Sequence, residues 1–257
     1  MPNKGTNPII NFASRLTKKQ LLITLITGSI LLLLLIIWGI SAIIHTNQVN
    51  HTYIVKGVDV SAYQGDIDWS TLEDQGVYFA FIKATEGEDY TDEKFEENWK
   101  NIESTGIRRG AYMFWQFGED GDKQAQYFIK TVSAGKNDLP PVIDLELYGD
   151  YLDNPLDKDQ VIANLTKTVQ ALKKNYDKDP IIYTNYLTYN TYLKDEFEDL
   201  NIWSCDLDDA EPSLSGDHTW TFWQYSQRGI LNGYEGSERF IDMNLYKDTL
   251  KEFYENF

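Results

Sequence analysis

Two carboxylates, Asp144 and Glu146, stand two residues apart in the apolar segment 140–147, which reads Pro-Pro-Val-Ile-Asp-Leu-Glu-Leu. Side chains of a β-strand alternate between two faces, so a strand here places both acids on one face, about 7 Å apart along the chain. Burial in a partly apolar cleft raises the pKa of a carboxyl group, as a general acid working near neutral pH requires. The pair is therefore a candidate acid–base site, although an isolated Asp-x-Glu pair is more often a structural strand end.

Eight strand-like segments follow residue 54, and most of them are separated by helix-like segments. The predicted strands are short apolar runs at 55–61, 78–84, 110–115, 140–147, 180–184, 200–204, 219–225 and 239–244. The predicted helices cover 70–75, 91–104, 123–132, 157–176, 189–198 and the segment after 244. Strands that alternate with helices are typical of an α/β protein with parallel strands, and eight of them favour a TIM-like (β/α) barrel.

Catalytic groups of such barrels lie at the carboxyl ends of the strands. Five polar side chains are expected at that end, on four different strands: Asp59, Asp144, Glu146, Gln224 and Asp242. An open doubly wound sheet is the alternative fold. No Gly-x-Gly-x-x-Gly follows any predicted strand, so a nucleotide site has no support.

Residues 21–44 form an apolar run without a charged side chain, long enough as a helix to cross a membrane core of about 30 Å. Basic residues without an acidic one precede the run: Lys4, Arg15, Lys18 and Lys19. Positive charge favours the cytoplasmic side, which predicts a single-pass cell-membrane protein with its N-terminus in the cytoplasm. The predicted parts are a cytoplasmic tail at 1–20, a transmembrane helix at 21–44, a short linker at 45–54 and an extracellular catalytic domain at 55–257. A cleaved signal peptide is the alternative, but the run exceeds the usual apolar region of about 7–15 residues.

The charge distribution excludes some partners. Four of the 23 basic residues and none of the 40 acidic residues lie in 1–44, so the rest of the chain carries a net charge of −21. So acidic a surface repels nucleic acid and anionic lipid headgroups. Cys205 is the only cysteine and has no histidine nearby in the sequence to activate it, and two of the three histidines follow the apolar run directly. We therefore predict no metal site, no cofactor and no thiol chemistry.

Several motifs in register carry a family resemblance over residues 55 to about 250. They are Gly-Val-Asp-Val-Ser-Ala-Tyr-Gln-Gly at 57–65, Ile-Asp-Trp at 67–69, Phe-Ile-Lys-Ala-Thr-Glu-Gly at 81–87, Gly-Ala-Tyr at 110–112, Asp-Leu-Glu at 144–146, Trp-Gln-Tyr at 223–225 and Asp-Met-Asn at 242–244. Together they resemble the glycoside hydrolase family 25 lysozymes. The resemblance implies a flattened, irregular β/α barrel that hydrolyses the β-1,4 bond between N-acetylmuramic acid and N-acetylglucosamine in peptidoglycan.

The resemblance also implies roles for four acids. Glu146 would be the general acid that protonates the leaving oxygen, and Asp144 would stabilise the developing positive charge or orient the acetamido group of the substrate. Asp59 and Asp242 match the two further acids of the family's site. Carboxylates stabilise an oxocarbenium-like transition state, and crowding them keeps one protonated. Spacing leaves open whether a carboxylate or the substrate's own N-acetyl group is the nucleophile, and we favour substrate assistance with retention.

Further residues are expected to bind the substrate, either by stacking on sugar rings or by hydrogen bonds: Tyr63, Tyr112, Tyr183, Trp223, Gln224 and Glu86. For each aromatic residue on a strand, the alternative role is packing in the core. For Glu86, the alternative is a solvated acid in a loop. Two positions depart from the family pattern: Met113 replaces a common histidine, and Ser204-Cys205 replaces a small apolar pair. These departures bear on fine substrate preference.

The sequence thus predicts a membrane-anchored muramidase that remodels or locally opens the cell wall, with peptidoglycan glycan strands as its substrate. Three alternatives remain. The barrel could be an inactive glycan-binding module, a hydrolase of another polysaccharide, or the lytic component of a conjugation or secretion assembly with a membrane-protein partner.

Overall fold

The computed structural model describes residues 17–208, 211–216 and 218–257. The chain divides into two compact units, of which the first ends at Thr52 and the second is Tyr53–Phe257. The second unit holds every residue predicted to act on a substrate.

The first unit contains one long helix, α1 (Lys18–Thr52). Its segment Lys18–Ile40 has a mean hydropathy of 2.7 and is long and apolar enough to cross a membrane, a property that anchors and signal sequences share. Most of the predicted tail, residues 1–16, lies outside the described residues. The helix continues past Ile44 into the predicted linker because residues 45–52 contain neither glycine nor proline to end it.

Eight strands of the second unit correspond to the eight predicted ones. They are β1 (Lys56–Val60), β2 (Val77–Glu86), β3 (Arg108–Phe114), β4 (Val142–Asp144), β5 (Ile181–Asn185), β6 (Ile202–Cys205), β7 (Trp220–Gly229) and β8 (Ile241–Tyr246). Each strand is hydrogen-bonded to the next around the order β1-β8-β7-β6-β5-β4-β3-β2, and β2 pairs with β1 to close the barrel. The predicted TIM-like barrel is confirmed.

The eighth strand runs against the others. Neighbours among β1 to β7 are parallel, whereas β8 is antiparallel to both β7 and β1. The prediction of a wholly parallel barrel is therefore wrong for β8. A parallel neighbour needs a long crossover, usually a helix, but residues 230–240 between β7 and β8 form no helix and return the chain directly.

Six further helices follow the strands: α2 (Trp69–Asp74), α3 (Phe95–Asn101), α4 (Gly121–Thr131), α5 (Lys158–Tyr176), α6 (Tyr186–Thr188) and α7 (Leu250–Asn256). The helix α5 was predicted at 157–176, and Asp157 caps it by accepting a hydrogen bond from the backbone of Gln160. Its apolar stripe, which includes Leu165 and Leu172, is buried, and α5 packs against α4.

Two predicted helices differ from the observed ones. The helix predicted at 91–104 begins only at Phe95, because Tyr90–Thr91 instead pairs as a short strand with the end of β2. The helix predicted at 189–198 is replaced by α6 and a single π-helical turn at Tyr189–Leu193.

Aromatic side chains fill one end of the barrel interior. The Phe81 ring stacks on Trp203 with centroids 4.4 Å apart, and Phe79 meets Phe222 edge-on at 5.1 Å, although these residues lie on strands that are not neighbours in the sheet. A Cβ atom at Gly57 would lie 2.3 Å from a ring carbon of Phe79, so only glycine leaves room for that ring. The interior is thus a packed core rather than a channel.

Candidate active site

On three of the strands, the inward side chains change from apolar to polar within two residues. On β2, Phe81 is followed two residues later by Lys83, and on β4 Val142 is followed by Asp144. On β7, Phe222 is followed by Gln224. These polar side chains lie at the carboxyl ends of the parallel strands, where the sequence predicted a site.

Asp59, at the end of β1, is held by two amide side chains. Its Oδ2 accepts hydrogen bonds from Asn244 Nδ2 at 2.7 Å and from Gln224 Nε2 at 2.9 Å. Burial raises the pKa of Asp59 to about 6, since desolvation and the nearby charge of Glu146 outweigh the two donors, which lower it.

Asp242 reaches the same end of the barrel by a different route. It is the second residue of the antiparallel strand β8 and pairs in register with Asp59, so the beginning of β8 meets the end of β1. The prediction that Asp242 lies at the carboxyl end of a parallel strand is therefore wrong, although the structure places it beside Asp59. Gln224 Nε2 also lies 3.3 Å from Asp242 Oδ2. Desolvation, and then the charges of Asp59 and other acids, raises the pKa of Asp242 to about 8.

Asp144 is the last residue of β4, and its carboxyl group is buried. Only 8 % of its surface is exposed, and its Oδ1 atom is buried without a hydrogen-bond partner in the described structure. Desolvation, followed by the charge of Glu146, raises its pKa well above the ordinary value, and the ammonium of Lys83 opposes this shift. A buried acceptor without a donor is costly unless a ligand supplies one.

Glu146 lies in the extended segment just after β4, because the strand ends at Asp144 rather than at the predicted residue 147. Asn185 Nδ2 donates to Glu146 Oε1 at 3.0 Å. Asn185 is itself fixed, because its Oδ1 accepts the backbone N–H of Thr188 at 2.9 Å and so caps α6. Desolvation raises the pKa of Glu146, and the Asn185 donor partly offsets it. Glu146 also raises the pKa of Asp59, Asp144 and Asp242, so the four predicted acids share one electrostatic site.

A cavity of about 380 Å3 opens beside three of these acids, Asp59, Asp144 and Asp242. The aromatic side chains on its wall are Tyr63, Tyr112, Phe114 and Phe240. The Tyr63 ring is 63 % exposed, and Tyr112 is half-buried. A larger hollow between α4 and α5 contains none of the four acids. An apolar wall with a few convergent polar groups is the usual form of a ligand site.

The other predicted binding residues take different positions. Trp223 is only 1 % exposed and donates its indole N–H to the backbone oxygen of Asp206, so no face of its ring is open to a sugar. The Tyr183 ring is also buried, and its hydroxyl donates to Gln224 Oε1 at 3.0 Å. Tyr183 therefore fixes Gln224, which holds Asp59, whereas Trp223 lies outside the cavity wall. Glu86 accepts from Lys83 at 2.9 Å and from Gln116 at 3.0 Å, outside the cavity wall.

Several side chains lie at the site although no role was predicted for them from the sequence: Lys83, Asn185, Asn244, Glu238 and Phe240. Lys83 and Asn244 lie within the motifs at 81–87 and 242–244. Each is two residues from an inward position of its strand, so the strand period could have predicted that it also points inward. Asn185, Glu238 and Phe240 lie in or beside loops and carried no comparable signal.

Met113 and Cys205, at the two positions that depart from the family pattern, do not line the cavity. Met113 is fully buried on the outer side of β3, away from the cavity. Cys205 packs against the barrel interior beside Tyr183, and burial raises the pKa of its thiol to about 12, so the thiol is protonated at neutral pH.

The eight strands close into a barrel with four neighbouring carboxyl groups at one end, beside an open cavity, and carboxyl groups placed together are the groups that glycoside hydrolysis uses. Comparisons with known proteins agree. The model of Glycosyl hydrolases family 25 matches residues 58–234. Lysozyme M1 of Streptomyces globisporus is 34% identical over 215 residues, which cover 76% of this chain and 68% of that protein.

Solved structures are also similar. A family 25 glycosyl hydrolase from Bacillus anthracis is 45% identical with a TM-score of 0.75, covering 79% of this chain and 93% of that one. The lysozyme of Streptomyces coelicolor is 32% identical with a TM-score of 0.71, covering 78% and 95%. The chain belongs to glycosyl hydrolases family 25.

Proposed function

We propose that the protein is a muramidase that hydrolyses the β-1,4 bond between N-acetylmuramic acid and N-acetylglucosamine in peptidoglycan. The observation that carries the proposal is the group of four neighbouring carboxyl groups at one end of the barrel, three of them on the wall of the cavity, in a chain of family 25. Lysozyme and muramidase relatives, among them an N,O-diacetylmuramidase of Chalaropsis sp that is 29% identical, support this substrate class.

Glu146 is the general acid in this proposal. Desolvation raises its pKa, which is the direction that a general acid requires, and the Asn185 amide fixes the direction of its carboxyl group. It would donate that proton to the leaving oxygen and, as a carboxylate, later accept a proton from the attacking water.

Asp144 would act on the acetamido group of the substrate. Its unpartnered Oδ1 needs a donor, and the acetamido N–H is one. That hydrogen bond favours the ionised form of Asp144 and so lowers its pKa on binding, which leaves the proton on Glu146. The oriented acetamido oxygen would then attack the anomeric carbon, and water would open the resulting ring with retention.

Asp59 and Asp242 would complete the site. The amides of Asn244 and Gln224 hold Asp59, whose negative charge then stabilises an oxocarbenium-like transition state. With a pKa of about 8, Asp242 is mostly protonated at pH 7 and can donate a hydrogen bond to a sugar oxygen.

The test of this function is mass spectrometry of fragments that the full chain, in detergent, releases from purified peptidoglycan. New reducing ends on N-acetylmuramic acid are expected. Reducing ends on N-acetylglucosamine, or binding to the glycan without any release, would contradict the proposal, and the latter would favour the inactive binding module.

The predicted membrane placement belongs to the same proposal. Helix α1 would anchor the protein, with Lys18 and Lys19 on the cytoplasmic side and the catalytic domain, predicted at 55–257, outside. Protease added to intact spheroplasts should then digest the domain, whereas full protection would overturn the orientation. A mature chain that lacks Lys18–Ile40 by mass would identify a cleaved signal sequence instead. An assembly partner in the membrane remains a prediction.

A further inference from the structure

Two arginines share one aromatic ring that lines the cavity. The guanidinium carbon of Arg228 lies 5.7 Å from the centre of the Phe240 ring, and that of Arg239 lies 5.3 Å from it. Arg228 is on β7 and Arg239 immediately precedes Phe240, so the ring gathers cations from two segments. Both arginines are exposed, and Phe240 itself lines the cavity.

Neither arginine forms an ion pair within the part of the chain that the structure describes. Arg109, by contrast, pairs with both Glu103 and Asp138. Two guanidinium groups near one ring repel each other. Residues 45–257 carry 21 more acidic than basic side chains, yet none of the acids in the described structure pairs with either arginine. The pair is therefore available to an external anion.

The segment that carries Arg239 is fixed by three contacts. The Tyr234 hydroxyl donates to the backbone oxygen of Arg239 at 2.8 Å, and the Glu238 N–H donates to the backbone oxygen of Tyr63 at 3.1 Å. Tyr234–Glu235 also pairs as a strand with Asp66–Ile67. A held backbone lowers the entropy cost of binding at this position.

We propose that Arg228 and Arg239 bind a carboxylate of the peptide that muramic acid carries, and so make the protein prefer peptide-bearing glycan over bare glycan. The proposal rests on the proposed function, because it takes N-acetylmuramic acid to be the sugar in the cavity. The lactyl group of that sugar is the attachment point of a short peptide with free carboxylates. The peptide would leave the cavity past Phe240, where the guanidinium groups offer paired N–H donors that match a carboxylate.

Acids on the cavity wall oppose this interaction: Glu238 is exposed there, and Asp59, Asp144 and Asp242 line the same cavity. The two guanidinium groups supply the attraction that offsets these charges. Because the groups are exposed, the effect is expected mainly in substrate binding rather than in turnover.

The test measures binding of three oligosaccharides to the full chain in detergent, in a Glu146→Gln background that prevents turnover. The probes are a muramic acid–glucosamine tetrasaccharide with stem peptides, the same with its peptide carboxylates amidated, and the bare tetrasaccharide. Arg228→Gln/Arg239→Gln should raise Kd for the first about five- to tenfold and change Kd for the other two less than twofold.

Lys130→Gln/Lys174→Gln is the matched control. These two exposed bases lie on α4 and α5, form no ion pair in the described structure, and their replacement removes the same net charge. The control should leave all three Kd values within twofold. Equal loss with all three probes, equal loss in the control, or no loss with the peptide-bearing probe would each overturn the proposal.

Failure of the proposed function gives a different result. If the wild-type chain binds the probes but releases no reducing ends from peptidoglycan, the muramidase assignment fails, while the dependence of binding on the two arginines still decides this inference.

Discussion

The two ends of the barrel interior differ although the same strands build them. At one end, Phe79, Phe81, Trp203 and Phe222 pack ring against ring. At the other, two residues further along the strands, the interior holds carboxyl, amide and ammonium groups. The aromatic end gains free energy from burial, whereas the acidic end loses free energy by desolvating charge, which is why the pKa of every one of its four carboxyl groups is raised.

A hydrogen bond from Trp203 joins the aromatic end to the acidic end. The Trp203 indole N–H donates to Asn244 Oδ1 at 2.8 Å, and Asn244 Nδ2 in turn donates to Asp59. The packed Trp203 ring therefore fixes the Asn244 amide, which in turn holds Asp59. From this comparison we expect substitutions at the acidic end to change activity with little loss of stability, and substitutions at the aromatic end to do the reverse.

The largest effect is expected at Asp144. Asp144→Asn removes the carboxylate that would hold the acetamido group, and should lower kcat about 100- to 1000-fold because a transition-state interaction is lost. The midpoint of thermal unfolding should stay the same or rise, since a costly buried acid is gone. Release of reducing ends measures the rate. A loss of tenfold or less would give Asp144 only a supporting role.

Phe81→Leu tests the aromatic end. It removes the ring that stacks on Trp203 and should lower the free energy of unfolding by about 1–2 kcal/mol. Activity per folded molecule should fall less than threefold. Urea unfolding followed by tryptophan fluorescence gives the stability; a large loss of kcat at full stability would show that the two ends are not separable as described.

Asn185→Ala should have a smaller effect on rate. Without its donor, Glu146 is less well oriented, so kcat should fall about tenfold. The donor lowers the pKa of Glu146, so its loss raises that pKa, and the alkaline limb of the pH–rate profile should move to higher pH. A profile that moves to lower pH, or does not move, contradicts the assignment of Glu146 as the acid.

Asp242 should make the stability of the protein depend on pH. The pKa of Asp242 is about 8 in the folded protein and 3.8 in the ordinary state, so between these values the native state binds more protons than the unfolded state. Stability must then fall as pH rises from about 4 to about 8. Asp242→Asn should reduce this fall, which thermal unfolding at pH 5 and pH 8 can measure. An unchanged difference between the two pH values would show that Asp242 is not the group responsible.

Much of the fold could be predicted because it depends on local patterns. Alternating apolar runs located all eight barrel strands, and the apolar stripe with its Asp157 cap located α5. The direction of β8 depends on the connection before it, which apolar periodicity does not report. The family resemblance predicted the roles of the four acids. The structure shows which side chains hold two of them, Asp59 and Glu146, in place.

The partners of the acids were harder to predict, because they come from distant parts of the chain. Asn244 reaches Asp59 across 185 residues, and Asn185 reaches Glu146 across 39. Trp223 was predicted to bind a sugar ring, with core packing as the alternative, and the structure shows it buried. The sequence could not decide between the two, because an inward and an outward aromatic residue look alike until the strand register is known.

The most direct test of the account is the rate at which Glu146→Gln releases reducing ends from peptidoglycan, compared with Glu196→Gln. Glu196 is a partly buried acid that pairs with Lys158 at 3.3 Å, away from the cavity, and makes a matched control. We expect a loss of at least about 100-fold for Glu146→Gln with an unchanged unfolding midpoint, and a loss of less than twofold for the control. Near wild-type release by Glu146→Gln would contradict the central claim that the acidic end of the barrel is a hydrolytic site with Glu146 as its proton donor.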